Sequence, residues 1–330
     1  MKGMVLVTGG AGFIGSHVVD ELINNRQKVV ALDDLSGSFV DNVNKDSVFV
    51  QGSILDVSLI DRLFQQYKFE YVFHLAAYAA EGLSQFIKRF NYENNLIGSI
   101  NLINASINYN VKCFVFTSSI AVYGKNQLPM SEDLEPNPED SYGIAKYAVE
   151  LELKVSREMF GLDYVIFRPH NVYGEHQNIG DKYRNVIGIF MNQIMQGKPL
   201  SIFGDGTQTR AFTYIKDITP IIASSIFMPE TYGEIYNIGA DKEYTVNELA
   251  ESVGRAMGVK PDIIYFPERS EVKHAYALHE KAKKCFNYTA KFSLEEGLRK
   301  MAQWAIEIGP RKSKEFEDIE VKKCLPEAWL

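Results

Sequence analysis

Ser119, Tyr142 and Lys146 have side chains whose types and spacing allow proton-coupled chemistry. Tyr142 and Lys146 lie four apart in the run Ser141-Tyr142-Gly143-Ile144-Ala145-Lys146, which continues as a helical pattern through Tyr147, Leu151 and Val155. On a helix that spacing puts both side chains on one face. A free tyrosine titrates near pH ~10, so service as a base near neutrality needs a shift of about three units, or about 4 kcal/mol. A lysine ammonium a few Å away, in a site of low effective dielectric, supplies much of it. Ser119 follows an apolar run that begins at Cys113 and passes through Thr117. A hydroxyl at a strand's carboxyl end can hold a substrate hydroxyl and stabilise oxyanion character. Tyr-x-x-x-Lys by itself is most often a helix-surface pair; its weight here comes from what precedes it.

Met4 to Val7 reads as a buried strand, glycines follow at 9, 10, 12 and 15, and Ile14, Val18 and Leu22 open a helical pattern. In that strand-to-helix context Gly10-x-Gly12-x-x-Gly15 satisfies the dinucleotide fingerprint. Glycine lets the backbone approach a pyrophosphate, and the helix N-terminus offers it free N–H groups and partial positive charge. Lys28 to Asp33 is a second strand, and Asp33 lies eighteen residues past Gly15. An acid there accepts a hydrogen bond from an adenosine ribose hydroxyl and favours NAD over NADP. Asp34-Leu35-Ser36-Gly37 continues as a polar turn near the adenosine. The positive nicotinamide ring of that cofactor would add to the lowering of the Tyr142 pKa.

Further strands are expected at Val48-Phe49-Val50, followed by Gly52-Ser53-Ile54, at Tyr71 to Ala77, and at Cys113 to Phe116. The small residues ending the Tyr71 run leave room for a ligand. His74, within that apolar run, reads as a satisfied core histidine. Residues 95–108 carry Leu96, Ile100, Ile103 and Ile107 at helical spacing. Strands alternating with helices in this way predict a doubly wound parallel sheet, α/β in class, with helices on both faces.

With 330 residues, 46% of them hydrophobic, the chain can bury a large core or two modest ones. The net charge is −7 and no basic cluster stands out, which argues against nucleic acid as a partner. Cys113, Cys285 and Cys324 are odd in number and widely spaced; they suit a reducing compartment and offer no metal spacing. No charged leader and no membrane-length apolar run is evident, so the expectation is a soluble cytoplasmic protein with no membrane partner.

Thr8-Gly9-x-x-Gly12-x-x-Gly15, His74-Leu75-Ala76-Ala77, Thr117-Ser118-Ser119-x-x-Val122-Tyr123-Gly124 and Tyr142-x-x-x-Lys146 appear in order. In these motifs the chain resembles the extended short-chain dehydrogenase/reductase family from residue 2 to about residue 308, and within it nucleotide-sugar epimerases, nearest the UDP-glucose 4-epimerase group. The resemblance implies a Rossmann domain, residues 1–170, that keeps NAD tightly bound. It also implies a smaller C-terminal α/β domain, residues 171–330, that binds the nucleotide sugar, some of whose segments return to the Rossmann sheet.

Carried over residue by residue, the resemblance implies a cofactor site of Gly9, Gly12, Phe13, Ile14 and Gly15; Asp33 through Gly37; and Ser53 and Ile54, Ser53 standing where the family often has Asp. Leu75, Ala76, Ala77, Asn95, Thr117 and Pro169 join them, with Tyr142 and Lys146. On the substrate side it implies Ser119 and Tyr142 at the sugar, Asn171 and Arg210 at the diphosphate, Asn185 and Val186 at the start of a helix under the nucleotide, and Ser201 and Phe203 on the strand where the uracil rests. A guanidinium suits two phosphate charges because it is permanently charged and bidentate. Arg269 follows Glu268, which occupies the position of the family's arginine, and Ala275 falls at the position beside the sugar's C2 substituent, where a small residue admits an N-acetyl group.

Sugar dehydratases of this family carry an Asp-Glu pair where this chain has Ile120 and Ala121, and UDP-glucuronate decarboxylases carry Glu at the Ala121 position. Neither residue here can transfer a proton, which leaves epimerisation at C4. The alternatives kept are an epimerase or reductase of another nucleotide sugar (a UDP-N-acetylhexosamine, UDP-glucuronate or a GDP-sugar) and a non-catalytic NAD-binding sensor. In relatives the helices matching residues 95–109 and 142–159 pair across a two-fold axis, so a homodimer is expected. The tail from Arg311 carries no functional signal beyond a packing anchor near Trp329.

Overall fold

The computed structural model describes residues 3–125, 128–268, 273–312, 316–326 and 329. The first half contains strands β1 (Met4–Thr8), β2 (Lys28–Asp33), β3 (Val48–Gln51), β4 (Phe69–His74), β5 (Cys113–Thr117) and β6 (Asp163–Pro169). The second adds β7 (Val172–Tyr173), β8 (Leu200–Phe203), β9 (Thr209–Ala211), β10 (Thr213–Tyr214), β11 (Glu234–Ile238), β12 (Glu243–Thr245), β13 (Ile263–Phe266) and β14 (His274–Ala275). The helices are α1 (Phe13–Asn24), α2 (Val57–Tyr67), α3 (Glu81–Ser84), α4 (Lys88–Tyr92), α5 (Gly98–Asn108), α6 (Ser141–Phe160), α7 (Val186–Met195), α8 (Ile215–Ser224), α9 (Val246–Ala256), α10 (Glu280–Phe286) and α11 (Leu294–Ile308).

The main sheet runs β11-β6-β5-β4-β1-β2-β3, with every neighbouring pair parallel. Successive residues of a strand face opposite sides. Val5 and Val7 therefore pack into one apolar layer with Phe73, Val115 and α1, while Leu6 packs into the other with Val72, Phe114 and α5. Both layers are dry, which is why these strands read as continuous apolar runs. The chain leaves β1 toward β2 and β3, then returns to the other side for β4, β5 and β6. That reversal opens a crevice at the strands' carboxyl ends. The expected doubly wound α/β sheet is present, and the second half returns to it: β11 pairs with β6 and α8 packs on α1. The other strands of the second half form small sheets, β7 with β10, β8 with β13, and β12-β9-β14.

Two expected elements end differently. The strand expected from Tyr71 to Ala77 stops at His74, because β1 runs out at Thr8, the partner of His74; Leu75 N–H makes the last bond, to Thr8 O at 3.2 Å. The helix expected over residues 95–108 opens with a wider turn at Glu93–Ile97 before α5. His74 is fully buried, 2.8 Å from both Thr8 Oγ1 and Ser99 Oγ, and stacks on Phe116, as a core histidine does.

A buried ion pair fixes α6 against the sheet. Arg168 of β6 grips both oxygens of Glu150 and donates to Tyr123 Oη at 2.7 Å, which donates in turn to Asn237 Oδ1 of β11 at 2.9 Å. Beyond α11 the chain crosses back, and Trp329 is buried against Phe86 of the first half and Tyr183 of the second. Among the described residues no helix is long and apolar enough to cross a membrane, and no cluster of His, Cys, Asp and Glu could hold a metal.

Candidate active site

A cavity of about 1500 Å³ occupies the crevice. One end is the glycine turn. Gly9 has φ +70°, and a Cβ on Gly15 would lie 1.9 Å from Gly9 O, so α1 can approach the turn only as glycine. Gly12 is the N-cap of α1 and makes no side-chain capping bond, so the first N–H groups of the helix face the cavity without a side-chain acceptor. That cradle fits a dinucleotide pyrophosphate. Asp33 closes it: Oδ2 accepts from Ala11 N at 3.1 Å, while Oδ1 accepts from Leu35 N at 2.8 Å and Ser38 Oγ at 2.6 Å.

The reactive corner lies at the end of β5. Ser119 Oγ accepts from Ala121 N at 3.1 Å, holding the turn Ile120–Tyr123, and the Ser119 hydroxyl favours the ionised form of the neighbouring Tyr142. Asp140 caps α6 by accepting from Gly143 N at 2.8 Å, and a Cβ on Gly143 would meet Ala121 O at 2.6 Å. Glycine there brings the helix and the Ser119 turn close enough for their hydroxyls to meet. Lys146 Nζ donates to Thr117 O at 2.9 Å and lies 5.7 Å from the centre of the Tyr142 ring.

Tyr142 and Lys146 are both buried, and burial disfavours whichever form carries charge. The Tyr142 hydroxyl is pushed well above its ordinary value, first by burial and then by Glu81 and Asp140; the Ser119 hydrogen bond and Arg184 oppose this. Burial lowers Lys146 to about 7, against the pull of Glu150. The lowered tyrosine pKa expected from the spacing is therefore not produced by these residues alone: dehydration outweighs the lysine.

The cavity gathers most of the cofactor residues expected from the sequence: Gly9, Gly12, Phe13, Ile14, Gly15, Asp33, Asp34, Ser36, Gly37, Ile54, Leu75, Ala76, Ala77, Thr117, Tyr142, Lys146 and Pro169. Ser119, Asn171, Asn185, Val186, Ser201, Phe203, Arg210 and Ala275 line it as well. Asn185 is the N-cap of α7, and Ser201 and Phe203 project from β8. Arg210 of β9 donates to Thr209 O at 2.8 Å and Lys273 O at 2.9 Å, and is paired in register with Ala275 of β14. Ala275 lines the cavity and its neighbour Tyr276 does not.

Three expected residues lie off the cavity wall. Leu35 turns away at φ +61°, and Ser53 Oγ accepts from Leu55 N within its own turn. Asn95 is buried, bonding both Tyr78 N and Tyr78 O, so it holds the loop that carries Leu75, Ala76 and Ala77. Arg269 lies outside the described residues. Conversely, Gln177 and Ser118 line the cavity, and the Gln177 amide and the Ser118 hydroxyl are buried without a protein partner. Gln177 stands in an aperiodic polar loop that gives no spacing signal. Ser118 was masked by its catalytic-looking neighbour.

The model of the NAD-dependent epimerase/dehydratase family matches residues 5–239. The chain belongs to that family. NAD is accordingly its cofactor, and the glycine cradle and Asp33 are the residues that fit it. Among curated relatives of this epimerase/dehydratase, a putative UDP-glucose 4-epimerase of Methanocaldococcus jannaschii is 36% identical over 305 residues, covering 91% of this chain and 98% of its own. Among solved structures, a UDP-glucose 4-epimerase from Thermotoga maritima with UDP-glucose has a TM-score of 0.88 at 37% identity, covering 92% of this chain and 99% of that one. A UDP-N-acetylglucosamine 4-epimerase from Methanobrevibacter ruminantium, in complex with UDP-N-acetylmuramic acid, has a TM-score of 0.84 at 34% identity, covering 93% and 100%. These relatives are UDP-sugar 4-epimerases, and the chain is a nucleotide-sugar epimerase of that family.

Proposed function

We propose that the protein interconverts UDP-glucose and UDP-galactose by inverting C4 of the hexose. The observation that carries this is that Ser119, Tyr142 and Lys146 line the same cavity as Arg210 and the glycine cradle, with the apolar side chains of Ile120 and Ala121 beside them. Removal of a C6 hydroxyl needs an acid and a base in that place, and neither is there. Tyr142 takes the proton of the 4-hydroxyl while Ser119 holds the oxygen in line. Lys146, in its charged form, stabilises the tyrosinate across the ring-to-ammonium gap of 5.7 Å. Asn171 and Arg210 hold the diphosphate, so the sugar can turn over without leaving. The chemistry supplied by bound NAD is reversible hydride exchange with C4, which leaves no net oxidation. The test is incubation of purified protein, shown to contain NAD, with each UDP-hexose and no added cofactor. Interconversion is expected; its absence in both directions sinks the substrate pair.

A second reading, that UDP-N-acetylhexosamines are accepted too, is favoured by Ala275 on the cavity wall. The active form is a homodimer: α6 exposes Ile144, Leu151, Val155, Met159 and Phe160, and Ile97 adds to this apolar face. Light scattering should give twice the chain mass at micromolar concentration, and a monomer mass contradicts it.

A further inference from the structure

We propose that the C-terminal strap, residues 316–326 with Trp329, is an additional wall of the cofactor site and sets how long NAD stays bound. The cavity has two lips from opposite halves of the chain. One is the segment after β4 that runs from Leu75 through Tyr78 and Phe86 to Phe90 of α4; the other is the loop before α7, which carries Tyr183 and Arg184. Arg184 already bridges them. Its guanidinium lies 4.8 Å over the Tyr78 ring, and Nη2 is 3.2 Å from where a Cβ on Gly37 would be, beside the adenosine turn.

The strap joins the same two lips at both of its ends. Phe316 meets Phe90 edge-on at 4.9 Å and Tyr78 at 5.8 Å on the first lip, while its N–H donates to Tyr183 Oη of the second at 3.4 Å. Trp329 meets Phe86 at 6.1 Å on the first and Tyr183 at 5.4 Å on the second, and is only 7% exposed. Between them Glu320 anchors the strap: its carboxylate accepts from Arg89 N at 2.8 Å and Phe90 N at 3.0 Å, and its own N–H donates to Phe86 O at 2.9 Å. The inner edge, Val321, Pro326 and Trp329, lines the cavity itself. Parting the lips thus requires freeing both Phe316 and Trp329 from one side, and nothing in the catalytic corner replaces their contacts. An opening step placed before dissociation slows release without touching the chemical step. An epimerase returns its cofactor unchanged in each cycle, so a closed clasp costs no turnover.

The experiment uses the full-length holoenzyme. NAD leaving the protein is captured by ethanol and alcohol dehydrogenase in excess, and its release is timed for the parent and for the double variant Phe316→Ala/Trp329→Ala. Release at least about ten-fold faster is expected, equivalent to ~1.4 kcal/mol of closure, with turnover restored by added NAD. Unchanged release overturns the proposal. So does a raised KM for the nucleotide sugar with unchanged NAD release, which would assign the strap to the sugar side. Should the double variant fail to fold, Glu320→Ala leaves every aromatic contact in place and is read in the same way: faster release supports the clasp and unchanged release ends it. NAD release is measured without any sugar, so the result is independent of whether UDP-hexoses are the substrates.

Discussion

The reactive corner and the sugar end of the cavity are assembled over different ranges of the chain. Ser119, Tyr142 and Lys146 come from one strand end and one helix, fewer than thirty positions apart. Asn171, Phe203, Arg210 and Ala275 come from four separate segments spread over more than a hundred positions. The first group is fixed by helix geometry and one buried ion pair, Glu150–Arg168, a turn beyond Lys146. In the second, Phe203 and Arg210 are carried by the small sheets, where β8 pairs with β13 and β9 with β14. Under the proposed function, chemistry and specificity sit in separate groups: a change at the sugar end should move KM or substrate choice and leave the proton transfer intact, and a change at the corner should do the reverse.

The sharpest way to break that contrast is Tyr142→Phe. It removes the proton-transferring hydroxyl and should lower kcat by about 10³-fold or more, with NAD content unchanged by absorbance and activity assays. Retention of most activity would remove the corner from the mechanism. Arg210→Ala should act at the other end, raising KM by about 10- to 100-fold, the worth of a charge-assisted pair, while kcat moves little. An equal fall in kcat would show that the two ends are coupled. Ala275→Tyr sharpens the comparison within the sugar end. It should lower kcat/KM for UDP-N-acetylglucosamine by about ten-fold or more relative to UDP-glucose, and equal effects on both would misplace the C2 pocket.

The smallest effect concerns Lys146 in the cofactor-free protein. Its pKa falls from 10.5 to about 7 on folding because it is buried. Between those values the unfolded chain holds a proton that the folded chain does not, so this group makes stability rise with pH from about 7 toward 10.5; the gain is lost as pH falls from 10.5 to 7 and is absent below. Lys146→Met should flatten the slope of denaturation midpoint against pH in that window. An unaltered slope would place the lysine's charge in water.

The same division explains what could be read without coordinates. The parallel sheet, the glycine cradle, Asp33 and the Tyr142–Lys146 face were legible because each is a local pattern with a fixed period or turn requirement. Positions carried over from the family resemblance are met unevenly. Asn185, Phe203, Arg210 and Ala275 reach the cavity, whereas Leu35 and Ser53 turn off it and Asn95 supports a loop from behind. Near Trp329 the packing anchor was legible, but not the two loops it sits between, and Gln177 was not, since a buried amide without a partner has no one-dimensional signature.

By itself the sequence determined the sheet, the cofactor turn and the pairing of tyrosine with lysine, because backbone sterics and helical periodicity act over a few residues. Tertiary structure alone decided the protonation balance of that pair. Tyr142 is raised and Lys146 lowered because surrounding layers exclude water from both, and exclusion of water depends on every element that packs over them. It also decided that Val321, Pro326 and Trp329 line the cavity, since only folding brings Tyr78 and Tyr183 near enough for Phe316 and Trp329 to touch them.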